Sequence, residues 1–169
     1  MKKLIIFVLL AAMLLCLTAC DDPLPTQPSE NSSVPTEPSF SFHYKGTEIS
    51  LHAPAGPIID ALGEPLSYSE STSCAFEGLD KCYGYGSFYL ETYPQGDKDF
   101  VYGWWFVDDM VETEEGISIG SSQANVELAY GSECFNGTNS FVIKRGSGVL
   151  TIILDMASVS SIQYTIVTE

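Results

Sequence analysis

The sequence predicts an α+β fold: two helix-plus-antiparallel-strand repeats forming one curved sheet, with short helices on one face. Three observations predict it. Residues 49–63 align without a gap on residues 117–131, each an apolar strand running into a short helix that stops at a glycine. Residues 86–92 align on 148–154, and 101–106 on 159–164, and all four read as strands. The folded part also opens on a period of two, with Phe40, Phe42 and Tyr44 alternating with Ser41, His43 and Lys45, as a half-buried strand does.

The chain has 169 residues. Residues 1–19 read as a lipoprotein signal peptide. Lys2 and Lys3 form a basic start, and residues 4–17 are an apolar run short of the roughly 20 residues of a membrane span. Its end, Leu17-Thr18-Ala19-Cys20, resembles the lipobox of bacterial lipoproteins. That resemblance implies cleavage before Cys20 and acylation of its thiol with chains such as palmitate. Two acyl chains hold a protein on a bilayer where one binds marginally, at about 0.8 kcal/mol per buried methylene. The expected location is the extracytoplasmic face of the cell membrane, with the protein lipid-anchored and not spanning.

Residues 20–39 carry the lipidated cysteine and then Pro23, Pro25, Pro28, Pro35 and Pro38 among Ser, Thr, Glu and Asn. Such a stretch cannot bury enough surface to offset its ordering entropy. It reads as a disordered tether of at most about 60 Å, at roughly 3.1 Å per residue. With 22 acidic residues against 7 lysines and arginines, the formal net charge is −15. A chain so acidic is no partner for nucleic acid, and the charge keeps an exported protein soluble.

Residues 40–169 form the domain, with repeat one at 40–112 and repeat two at 113–169. In the first helix, near residues 54–62, Pro54 and Pro57 suit an opening turn, while Gly63 and Pro65 stop it. Ile58, Ile59 and Leu62 must pack on a sheet, because a helix of two or three turns is marginal alone. In the strands, Phe88, Leu90, Leu150, Ile152 and Leu154 are expected to face the helices, and Tyr89, Glu91 and Tyr93 to face away. Trp104 and Phe106 align with Ile162 and Tyr164 and read as core, whereas Trp105 aligns with Gln163 and reads as exposed. Val101 and Trp104 cannot share a face under strict alternation, so a bulge is expected near Gly103.

A strand, a helix ending in Leu62-Gly63-Glu64-Pro65, and following antiparallel strands, in tandem behind a lipobox, resemble the family built on the β-lactamase-inhibitor-protein fold. The SmpA/OmlA-type lipoproteins are its single-unit relatives. Residues 109–120 are also similar to the joint between repeats in uncharacterised lipoproteins of Gram-positive anaerobes. The resemblance implies a concave sheet face free to bind protein. It carries over no contact residue and does not imply β-lactamase as the target.

No catalytic signature is present. His43 and His52 sit in no metalloprotease, nucleophile-elbow or Cys-His pattern, and no Gly-rich loop precedes a helix to cradle phosphate. Asp97, Asp99, Asp108 and Asp109 lack the spacing of a calcium loop and read as solvated. No cofactor and no metal are expected. A three-residue hairpin loop at residues 77–79 would set Cys74 opposite Cys82 within disulfide reach; a loop of two or four would leave both, and Cys134, as thiols.

The expected function is therefore a non-enzymatic, membrane-anchored protein-binding module. Its partner would be an envelope or extracellular protein, met by the outward aromatics Tyr85, Tyr89, Tyr93 and Trp105 with Glu91 beside them. A structural role in an envelope complex, or a cell-wall hydrolase with an unrecognised site, are the alternatives. A hydrolase would show a concave pocket gathering His43 or His52 with two carboxylates.

Overall fold

The computed structural model describes residues 39–167. The expected signal peptide, Cys20 and all of the expected tether but Ser39 lie outside the described residues. No helix among the described residues is long and apolar enough to cross a membrane.

The chain begins with a hairpin of β1 (Ser41–Tyr44) and β2 (Thr47–Ser50), turned by Lys45 and Gly46, both at positive φ. Two such residues match the twist of the flanking strands. The helix α1 (Ala55–Leu62) follows and ends at Gly63, whose φ is 79°. Next come β3 (Ser67–Thr72), β4 (Leu79–Gly84), β5 (Phe88–Gln95) and β6 (Lys98–Phe106). A connection over residues 107–122 leads to α2 (Gln123–Tyr130), where the Ser122 hydroxyl accepts a hydrogen bond from the Asn125 backbone N–H. A 3₁₀ turn (Ser132–Cys134) precedes β7 (Ser140–Arg145), β8 (Gly148–Asp155) and β9 (Ser158–Ile166).

Seven strands form one antiparallel sheet in the order β3-β4-β5-β6-β9-β8-β7, and β1 and β2 form a second of two. Two consecutive runs of strands thus meet where β6 pairs β9 through Gly103 with Thr165, Trp104 with Tyr164 and Trp105 with Gln163. Gly103 is required at that seam. A Cβ built there would stand 2.1 Å from the Tyr164 carbonyl oxygen, which is backbone and cannot swing away.

This architecture corrects the expected fold class. Nine strands in two antiparallel sheets and two α-helices of eight residues each make the described chain mostly β, not a helix-plus-strand repeat. The halves are also unequal: the first supplies a separate hairpin and four sheet strands, the second three strands. The physical reason lies in the short helices. α1 buries only Ala55 and Ile58, and α2 only Val126, too little to cover a seven-stranded sheet. The cover comes chiefly from the hairpin and the connection, which bury Phe40, Phe42, Ile49, Leu51, Val111 and Ile117.

Beneath that cover lie Phe88, Leu90, Trp104, Phe106, Leu150, Ile152, Leu154, Ile162 and Tyr164, all buried and on the expected face. Trp104 stacks on Tyr164 with ring centroids 4.8 Å apart, and Phe42 of the hairpin meets Phe88 edge to face at 5.1 Å. The bulge also forms. The register shifts between Glu91 and Thr92, which face Gly103 and Val101, and Tyr102 is the extra residue.

Candidate functional site

Among the described residues the second face of the seven-stranded sheet has no cover of that extent, only the β3–β4 loop near Tyr93. In-register pairing aligns Gly84, Tyr89, Trp105, Gln163 and Thr151 in one row across it, and Ser69, Cys82, Glu91, Gly103 and Thr165 in the next. Tyr89 and Trp105 are half-buried and stack nearly parallel, with centroids 4.9 Å apart and planes at 16°. Gly84 makes room for the tyrosine: a Cβ there would come within 2.8 Å of its ring. The expected outward aromatics are therefore present at these two positions.

Two others are not. Tyr85 is buried, 8% exposed, and stacks on Phe88 at 5.3 Å. It lies one residue past the end of β4, and its N–H donates to the Phe88 carbonyl, so strand alternation no longer sets its direction. Tyr93 has the parity of Tyr89 and Glu91 but is 7% exposed. Phe76, from the loop between β3 and β4, lies over it at 4.4 Å, and its hydroxyl sits 3.1 Å from His52 Nδ1. Neither residue can belong to an exposed binding face.

Glu91 borders a cleft of about 470 Å³ between the β3–β4 loop and the sheet. Asp80, Cys74, Cys82, Ser69, Phe76 and Tyr102 are among its lining residues, and neither histidine is. Burial, and after it the neighbouring Asp80, raise the Glu91 pKa above the usual carboxylate range. Asp80 Oδ1 is itself buried and has no hydrogen-bond partner among the described residues. Among the described residues no cation pairs with either acid. The ion pairs among the described residues are Lys81 with Asp99 at 2.7 Å and Arg145 with Glu115 at 3.0 Å. No group of three or more His, Cys, Asp or Glu positioned to hold a metal occurs among the described residues.

The disulfide register does not form. β3 ends at Thr72, opposite Leu79, so the hairpin loop has six residues, and Cys82 lies opposite Ser69. Within the loop the Ser73 hydroxyl accepts from the N–H groups of Ala75 and Phe76, which turns the chain before Cys74 can pair. Cys74 and Cys82 are free thiols lining the same cleft. Burial, and then Glu91, push the Cys82 thiol up, with a hydrogen bond to Ser69 opposing them.

Sequence reasoning missed Asp80 and Tyr102. Asp80 is two residues before Cys82, so the period of two places it on that face once β4 is recognised. Tyr102 follows from the bulge near Gly103, because the extra residue of a bulge escapes the alternation. Phe76 carries no local signal. Comparison of the chain with family models, curated proteins and solved structures gives no match, so the functional reading rests on this geometry.

Proposed function

We propose that the protein is an extracytoplasmic lipoprotein, held on the cell membrane through Cys20, that binds an envelope or extracellular protein without catalysing a reaction. The Tyr89–Trp105 stack carries this reading. Two large rings stack on each other on a sheet face that the described residues leave open at this point, and the tyrosine is seated against Gly84. Rigid aromatics of this kind give large contact area at small entropy cost and dominate interface hot spots. Gln163 and Thr151 continue the row with groups that can hydrogen-bond at a rim.

The test compares the full chain with its Trp105→Ala variant in native membranes, using a photo-crosslinking residue at Gln163. The wild type is expected to crosslink to a discrete protein. The variant should bind that protein about 2 kcal/mol more weakly, near the hot-spot threshold, with an unchanged circular dichroism spectrum. An unchanged affinity would remove the aromatic face from the binding surface. Anchoring is tested separately: Cys20→Ala should move the protein into the soluble fraction, and retention on membranes would refute the lipid anchor.

A further inference from the structure

The two outer strands of the seven-stranded sheet are protected unequally. Along β7, the Asn136 N–H donates to the Ser140 carbonyl, Phe135 bridges Phe141, and Lys144 and Arg145 follow. Such cover and charge are what keep an edge from pairing with another chain. Along β3 no such cover is present among the described residues, and its one charged side chain is the acidic Glu70. All six of its residues are exposed, and it holds no proline, glycine or lysine. Just before it and within it stand Leu66 and Tyr68, 81% and 51% exposed.

The direction of its free backbone groups follows from the ladder. The Ser73 N–H donates to the Gly78 carbonyl, and the antiparallel alternation carries that bonded pairing back to Ser71 with Asp80 and Ser69 with Cys82. Tyr68, Glu70 and Thr72 therefore direct N–H and C=O away from β4, and none of those groups meets a backbone partner among the described residues. Immediately inside this edge, on the open face, stand the small side chains of Ser69 and Ser71. Behind them is Asp80, with its unpartnered carboxylate oxygen, and then Glu91. A strand added outside β3 would stand about 10 Å from β4, two spacings of roughly 4.8 Å. An arginine or lysine on it could reach across the two serines.

We infer that the β3 edge takes up an extended, basic polypeptide segment as an eighth strand, with a cationic side chain lying over Ser69 and Ser71 toward Asp80. The backbone ladder supplies binding in the manner of β-strand addition, and the uncompensated acids select the charge. A chain with a formal charge of −15 steers such a segment inward. A second copy of this chain does not fit, since its own β3 offers Glu70 and no basic residue. This surface is distinct from the Tyr89–Trp105 patch and does not rest on it.

The probe is a capped ten-residue peptide alternating arginine and valine, titrated into the full chain. Controls are the same peptide with glutamate for arginine, and a fully N-methylated version that keeps the charge but donates no backbone hydrogen bond. Saturable binding should slow amide exchange at Tyr68, Glu70 and Thr72. Thr72→Pro, which removes one outward donor where an edge tolerates proline, and Asp80→Asn should each weaken binding at least tenfold; Trp105→Ala should leave it unchanged. The inference is overturned if the glutamate or N-methylated peptide binds equally well, or if no peptide binds. Loss of binding with Trp105→Ala alone would overturn it too, by moving the site to the aromatic patch. Should Thr72→Pro fail to fold, the N-methylated peptide and the exchange of the three amides decide the matter.

Discussion

Trp104 and Trp105 are neighbours in sequence, stack on tyrosines at nearly equal distances, and lie on opposite faces of one strand. Trp104 is fully buried under the hairpin, while Trp105 is half-exposed. The carboxylates differ in the same way. On the covered side, burial pushes Glu115 up, but the Tyr130 hydroxyl at 2.7 Å and Arg145 at 3.0 Å outweigh it and hold its pKa low. On the open face, burial and then Asp80 raise Glu91, with no cation among the described residues to answer them. Alternation builds two faces of similar content; what covers each face decides which becomes core and which stays available to a partner.

The largest effect that would break this contrast is at Trp104. Trp104→Ala should cost about 3 to 5 kcal/mol in urea unfolding, the usual loss for a buried large aromatic. A cost below about 1 kcal/mol would mean that the two faces are reversed. Gly103→Ala comes next, at about 1 to 3 kcal/mol or somewhat more, because its Cβ would press on the Tyr164 carbonyl and part β6 from β9. Faster amide exchange confined to the β6–β9 seam would confirm where the strain falls.

Trp105→Ala should cost far less, about 0.5 to 1.5 kcal/mol, the worth of an aromatic pair. A loss matching that of Trp104→Ala would show the open face to be a second core. The smallest effects are the carboxylate pair, each within about 1 kcal/mol for partly exposed groups. Glu115, held low, contributes stability above the ordinary carboxylate range that is lost as pH falls through its folded-state pKa. Glu115→Gln should therefore be less stable than wild type at neutral pH and equal to it in acid. Glu91, held high, contributes stability below the ordinary range that is lost as pH rises through its folded-state pKa. Glu91→Gln should match wild type in acid and exceed it at neutral pH. Chemical denaturation of both variants across that range checks the opposite signs.

Several features of this protein are fixed within short windows of sequence. The helices end at Gly63 and Gly131 because both glycines adopt positive φ at the cap. Phe88, Leu90, Trp104 and Phe106 face inward, and Tyr89 and Trp105 outward, because a strand's period of two is a local property. A bulge was required near Gly103 because Val101 and Trp104 are both apolar and inward at odd spacing. Other features depend on segments distant in sequence, and no local pattern holds them. The hairpin, rather than two short helices, covers the sheet, because Phe40, Phe42, Ile49 and Leu51 offer more apolar surface than α1 and α2 together. Phe76 closes over Tyr93, and a six-residue loop separates Cys74 from the register of Cys82. Asp80 and Glu91 meet in one cleft because β4 pairs β5, a register set by side chains packed elsewhere in the sheet. Local periodicity could assign a face to residues within regular strands, but only the contacts between distant segments could decide which face would be closed.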